Sequence, residues 1–413
     1  MGELAGSNKP GHEEKSPYII CHMATPTHPS RVRALDIARG LVMVLMAIDH
    51  VRVYAGVPAG GPAPPLFFTR WVTHFCAPGF VFFAGASAFL RRSRLAGTAE
   101  LSRHLLSRGL LIVLIELTVM RFAWTFNFDV MDYNIAGVLW MIGWSMVALA
   151  GLVWLPFNAI ATLGLVIVFG HNLVDPYLRD IGGAIAESPF RWIWQFLYFG
   201  GSVTLGDSGP RIAILYSLMP WIGVMAAGYA FGRVLQLPIA RRNRACLMIG
   251  GAAIALFILL RTFNIYGDPR PWNGAQPLSF LNTTKYPASL LFLLMTLGPL
   301  IALMPLFERA GGAIANALEL FGRVPLFYYV LHIPLIHVAA MVVSLIRTGS
   351  ITPWLFGNHP LEPPEQPPGY RWSLWLLYLV TAVCVVALYG ACRWWVERKK
   401  TASGRLANPI GAA

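Results

Sequence analysis

Ten apolar stretches, each long enough to cross a lipid bilayer, dominate this chain. They run near 36–55, 70–90, 104–124, 136–154, 156–174, 212–232, 246–262, 286–306, 322–346 and 373–394. A hydrocarbon layer about 30 Å thick is crossed by about 20 residues of α-helix. Inside it every backbone amide needs a partner within the protein, which the helix supplies internally. The composition fits that solvent: 56% of the residues are hydrophobic and 12% charged, where soluble domains carry about 25% charged. The expected fold is therefore all-α, a polytopic bundle of about ten transmembrane helices. Pro325 and Pro334 in the ninth stretch predict a kinked or broken helix there.

Charge sets the expected orientation. Arg31 and Arg33 precede the first stretch, and Arg91, Arg92, Arg94, Arg103 and Arg108 surround the loop after the second. Arg233, Arg241, Arg242 and Arg244 follow the sixth, and Arg393, Arg398, Lys399 and Lys400 follow the tenth. Counting ten spans, all four clusters fall on one side, which the positive-inside rule makes the cytoplasm. Both termini are expected there. Residues 1–30 are polar and aperiodic and read as a disordered cytoplasmic tail, 31–400 as a single membrane domain, and 401–413 as a flexible C-terminal tail. The net charge of +13 thus points to a bilayer and not to nucleic acid, because the cations sit at span ends and form no soluble basic face. Five cysteines show no paired spacing, and no HExxH, P-loop, dinucleotide fingerprint or GxSxG occurs. No metal site is expected.

Ionisable residues inside spans are expensive and need a partner or a task. At about 100° per residue, Asp36, Arg39, Met43, Met46 and His50 share one stripe of the first helix. Arg39 and His50 are separated by roughly 16 Å of rise. A cation near the cytoplasmic end and an imidazole near the outer end suit a ligand with an anionic head and a reactive tip, the shape of coenzyme A. Arg33, Asp36 and Arg39 form the candidate cofactor end, although Asp36 and Arg39, three residues apart, are also placed to pair with each other. His50, beside Asp49, is the leading candidate for chemistry. His74 should lie at a similar depth on the antiparallel second span, and His332 near mid-membrane in the ninth, so two imidazoles can supply a base and an orienting group. Glu116 and Arg121 are expected in a structural ion network with Arg52 or Lys285.

Several segments resemble the heparan-α-glucosaminide N-acetyltransferase-like family of bacterial membrane proteins, a kind of transmembrane acyltransferase. They include Arg33…Asp36…Arg39-Gly40…Asp49-His50, His74-Phe75-Cys76-Ala77-Pro78-Gly79, Glu116-Leu117-Thr118-Val119, His171-Asn172-Leu173, Lys285-Tyr286-Pro287 and Gly322-Arg323-Val324-Pro325…His332. The resemblance runs in family order from about 31 to 400. It implies transfer of an acetyl group from cytoplasmic acetyl-CoA to an amine or hydroxyl of a sugar or lipid-linked glycan across the bacterial inner membrane. It also implies catalytic roles for His50, His332, His74 and Asp49, while leaving a homodimer open. The loop 51–73 lacks the histidine that the lysosomal relative has there, and His74 is the residue placed to substitute for it. Two other readings stand beside this one. A proton-coupled transporter or flippase can use the same intramembrane His, Asp and Glu residues as a relay, and a non-catalytic scaffold would have no need of them.

Overall fold

The computed structural model describes residues 1–2, 31–61, 63–131, 134–274, 276–359 and 364–407, so the expected N-terminal tail and residues 408–413 lie outside the described residues. Each of the ten apolar stretches contains helix, the sixth opening in a short strand before its helix begins at Leu218. In chain order the main helices are α1 (Arg33–Tyr54), α2 (Pro64–Trp71), α3 (Cys76–Arg92), α4 (Thr98–Ile115), α5 (Val138–Leu152) and α6 (Phe157–Gly170). There follow α7 (Leu218–Leu235), α8 (Ile239–Phe263), α9 (Leu290–Ala302), α10 (Gly312–Arg323), α11 (Pro325–Thr348) and α12 (Leu374–Ala407). Among the described residues, strands are confined to one small sheet. In it β3 (Arg211–Ile214) pairs parallel with β1 (Asn134–Ala136) and antiparallel with β2 (Gly201–Thr204), placing Ile212 opposite Asn134 and Ile214 opposite Gly201.

Seven described helical segments are long and apolar enough to cross a membrane by length and composition alone: Pro64–Arg92, Phe157–Leu178, Leu218–Leu235, Ile239–Phe263, Leu290–Arg309, Pro325–Thr348 and Leu374–Lys400. α1 has the length but carries Arg33, Asp36, Arg39, Asp49 and Arg52, and α5 is shorter. The outer faces of these helices and of α4 carry Leu110, Leu114, Leu165, Val166, Met248, Ile258, Val383 and Val386 exposed. So much apolar surface in contact with water would drive aggregation; against acyl chains it is matched. The protein is an all-α membrane protein.

Helices pack closely where glycine removes the side chain. On α1 a Cβ added at Gly40 would lie 1.9 Å from the Leu318 carbonyl oxygen of α10, and one at Gly322 would lie 1.9 Å from the Asp36 oxygen. α3 and α7 repeat the device through Gly85 and Gly228, whose added Cβ atoms would each fall 2.1 Å from a backbone oxygen of the other helix. In lipid, where apolar burial drives little helix association, such close backbone contact is the main source of it. A Gly40→Ala substitution must therefore push α1 from α10, and we expect it to destabilise the protein by about 1–3 kcal/mol. Gly251 on α8 meets nothing within 4 Å, so Gly251→Ala should leave the melting temperature unchanged or slightly raised. Thermal unfolding of the two variants in the same detergent makes the comparison.

The ninth stretch is broken at its first proline, since α10 ends at Arg323 and Pro325 opens the first turn of α11, where a missing N–H costs nothing, while α11 runs on through Pro334. The expected Glu116–Arg121 network is corrected, for it takes another form. α4 continues through a π-type turn at Glu116–Met120 into Arg121–Thr125. There the buried Glu116 carboxyl faces the backbone N–H groups of Gly137 and Leu139 at the start of α5. Arg121 donates to Thr125 and Asn127, and Arg52 turns to Asp49.

Candidate functional site

α1 and α11 bring two histidines 282 residues apart into contact. Nδ1 of His50 lies 2.7 Å from Nε2 of His332, with the rings stacked at 29° and centroids 4.9 Å apart. His332 is 0% exposed, and its Nδ1 bonds the Tyr329 carbonyl one turn back. Trp124 sets its ring edge-on to His50 with centroids 5.0 Å apart, and its carbonyl takes the Tyr54 hydroxyl at 2.7 Å.

These bonds define the tautomers. A carbonyl oxygen only accepts, so Nδ1 of His332 carries a proton and donates to Tyr329. In the neutral ring Nε2 is then the lone-pair nitrogen, and it accepts from Nδ1–H of His50. The remaining lone pair of the dyad sits on Nε2 of His50. That atom has no hydrogen-bond partner among the described residues, and the ring is only half-buried. An imidazole with a buried orienting partner behind it and an accessible lone pair in front has the geometry of a general base.

Asp49 does not join the pair. Neighbours i and i+1 point about 100° apart on a helix, and its carboxylate is held by Arg52 and Arg70, each at 2.9 Å. The Arg70–Asp49 pair ties α2 to α1, and Arg70 donates as well to Thr73. His74 lies one turn beyond Arg70, 9% exposed, edge-on to Phe292 at 5.5 Å, with its Nδ1 lacking a hydrogen-bond partner among the described residues. It lines a cavity of about 1130 Å³ between the loop 59–61, α2 and the segment 269–286, which Arg70, Arg270, Lys285 and Tyr286 also line. No hydrogen bond joins His74 to His50; what connects cavity and dyad is Arg70, which reaches the residue preceding His50.

The candidate cofactor residues sit at the other end of α1. Arg33 is ion-paired with Glu319 at 2.8 Å and bonds Asn316 and the Ala310 carbonyl. Arg39 donates to the Phe83 carbonyl at 2.8 Å and to the Ser87 hydroxyl on α3, and Asp36 is buried against α10. The stripe connecting the two ends is filled, with Met43 and Met46 buried. His337 is a packing residue, stacked between Tyr54 and Phe126 with centroids 4.8 and 4.1 Å away. His171 braces the end of α6 by bonding the Ile167 and Ala288 carbonyls.

Arg70, Arg270 and Trp124 escaped the sequence reading, and Lys285 entered it as an ion-network partner and in a family-like segment, with no site role. The available signal was positional: Arg70 and Lys285 stand at apolar-segment ends and Arg270 within a loop, on the side that otherwise carries acidic residues. Trp124 had no signal, since its role is contact with a ring on another helix.

Fold and site together define a multi-pass helical membrane protein with a paired-histidine centre beside a polar cavity. A family model described as heparan-alpha-glucosaminide N-acetyltransferase, catalytic, matches residues 31–262. That span is more than half of the 413 residues, and the chain belongs to this family. His50 lies within the matched region and His332 beyond it. No curated protein matches the chain.

Proposed function

We infer that this protein is a membrane acetyltransferase that moves an acetyl group from acetyl-CoA to an amine or hydroxyl of a sugar or lipid-linked glycan. The observation that carries the reading is the His50–His332 dyad, with its lone pair on an accessible nitrogen, in a chain of the heparan-alpha-glucosaminide N-acetyltransferase catalytic family. Nε2 of His50 takes the proton of the acceptor N–H or O–H while the acceptor nitrogen or oxygen attacks the thioester carbonyl. The new bond to the acetyl carbon forms as the C–S bond breaks, and the proton passes from His50 to the departing sulfur. His332 acts behind His50, accepting its Nδ1–H and thereby holding the ring in the tautomer that keeps Nε2 unprotonated.

In this reading ten helices cross the bacterial inner membrane with both termini in the cytoplasm. The donor approaches from the end of α1 that carries Arg33 and Arg39, where cationic side chains gather and anionic phosphates are favoured. The acceptor arrives at the opposite end, through the cavity lined by Arg70 and His74. Asp49 serves as the tie between α1 and α2, which keeps that cavity wall beside His50.

The test is turnover. Protein purified into nanodiscs and supplied with [¹⁴C]acetyl-CoA and an amino-sugar glycan should release CoA thiol and label the glycan in equal amounts. The absence of thiol release, together with no thermal shift on adding CoA, would remove this reading and leave a transporter or flippase, which has no use for the thioester.

A further inference from the structure

The cavity beside α2 holds more positive charge than the described protein neutralises. Lys285 is 8% exposed and lines the cavity, yet no carboxylate stands within ion-pair distance of it among the described residues. Its ammonium rests over the rings of Tyr286 and Tyr216, 5.1 and 5.9 Å from their centroids. Arg70 has a carboxylate partner, but shares it: Asp49 alone serves both Arg70 and Arg52. Three cations thus surround one anion. Arg270 adds a fourth cation to the wall, its Nε donating to Thr284 Oγ1 at 2.9 Å, while Asp268 accepts from Thr284 and Ser289 and offsets it. His74 offers the same wall an unpartnered ring nitrogen.

A buried charge without a counter-charge is costly, and proteins retain one where a ligand completes it. The excess here is about two positive charges, which suits a group carrying two negative ones. Carboxylates and sulfate esters carry one. A phosphomonoester or diphosphate carries close to two near neutrality. Arg70 and Arg270 provide planar guanidinium forks that fit phosphate oxygens, and Lys285 provides a point charge between aromatic faces.

We propose that this cavity binds a phosphomonoester or diphosphate group of the acceptor, so that the acetylated glycan is a phosphorylated sugar or one joined to lipid through diphosphate. The assignment deepens the acetyltransferase reading and rests on it only for the word acceptor; the phosphate site itself stands on Lys285, Arg70 and Arg270.

The experiment measures binding without turnover. Purified protein in zwitterionic nanodiscs is titrated with glucosamine 6-phosphate, with glucuronate, and, in separate discs, with a polyprenyl phosphate carried in the bilayer. We expect a phosphate probe to bind at least tenfold more tightly than glucuronate, the soluble sugar identifying a free phosphate and the polyprenyl compound a lipid headgroup. Lys285→Met and Arg270→Gln should each weaken that binding at least tenfold, and Arg393→Gln, an exposed side chain paired with Glu397, should not. Since Lys285→Met removes an unbalanced buried charge at similar volume, the empty variant should melt at or above the wild-type temperature, so lost binding is not lost folding. Failure of both phosphate probes to bind, equal affinity for glucuronate, or binding indifferent to the two variants overturns the phosphate site. Phosphate binding without acetyl transfer overturns the acetyltransferase reading instead, and transfer to neutral sugars without phosphate binding does the reverse.

Discussion

His50→Ala is expected to lower kcat/KM for acetyl transfer by about 10²–10⁴-fold, the contribution typical of one positioned base. At about 1.4 kcal/mol per decade this removes roughly 3–5.5 kcal/mol of transition-state stabilisation. His332→Ala should cost less, on the order of 10–100-fold, because the base is still present and only its tautomer and orientation are released. Two further measurements separate this from general damage to the fold. The double variant should be no slower than His50→Ala alone, since His332 has nothing to position once the ring is gone. His332→Gln, whose side-chain oxygen can accept the Nδ1–H of His50, should recover part of the activity lost in His332→Ala. Multiplicative losses in the double variant would show that the two histidines act separately and would end the dyad account.

The helical membrane character of this chain was legible because the bilayer accepts few backbone solutions, so long apolar stretches had only one structure to adopt. The ends of α1 were legible for the same reason: ionisable residues at 33, 36, 39, 49 and 50 stand out against LVMVLMAI. The candidacy of His332 came from its place in the ninth stretch. That His332 would touch His50 did not, because the contact depends on how α1 lies against α11, and helical periodicity says which face a residue occupies without saying what meets it. Chain adjacency misled at Asp49, since it suggested a partnership with His50 that the turn of the helix prevents. α10 was missed as a separate element, its twelve residues being too short and polar to read as a span. The cavity was invisible for a different reason. Its walls come from the turn after α1, from α2 and from the segment 269–286, and loop positions carry no period from which a common site can be read.

The largest stability effect is expected at Asp49. Its side chain keeps 19% exposure while accepting from Arg52 and Arg70, whose side chains are 9% and 14% exposed. Breaking a buried ion pair by removing one member costs about 3–5 kcal/mol, mainly because the surviving charge is left unpaired. Asp49→Asn keeps the shape and some hydrogen bonding but strands two guanidinium groups at once, near Lys285, which has no carboxylate of its own among the described residues. We expect about 3 kcal/mol of destabilisation, toward the lower end of that range on account of the residual exposure, and a lower melting temperature in every detergent tested. Arg70→Met strands nothing, since Asp49 retains Arg52, and it should cost about 1 kcal/mol or less. The asymmetry is the diagnostic. If the triad is held together mainly by packing, the two substitutions will cost the same; if charge balance governs it, removing the single anion will be several times worse than removing one of its two cations. Adding Arg70→Met to Asp49→Asn should then restore part of the loss, since the double variant strands one cation instead of two. A double variant less stable than Asp49→Asn alone would show that Arg70 stabilises α2 through contacts other than the carboxylate.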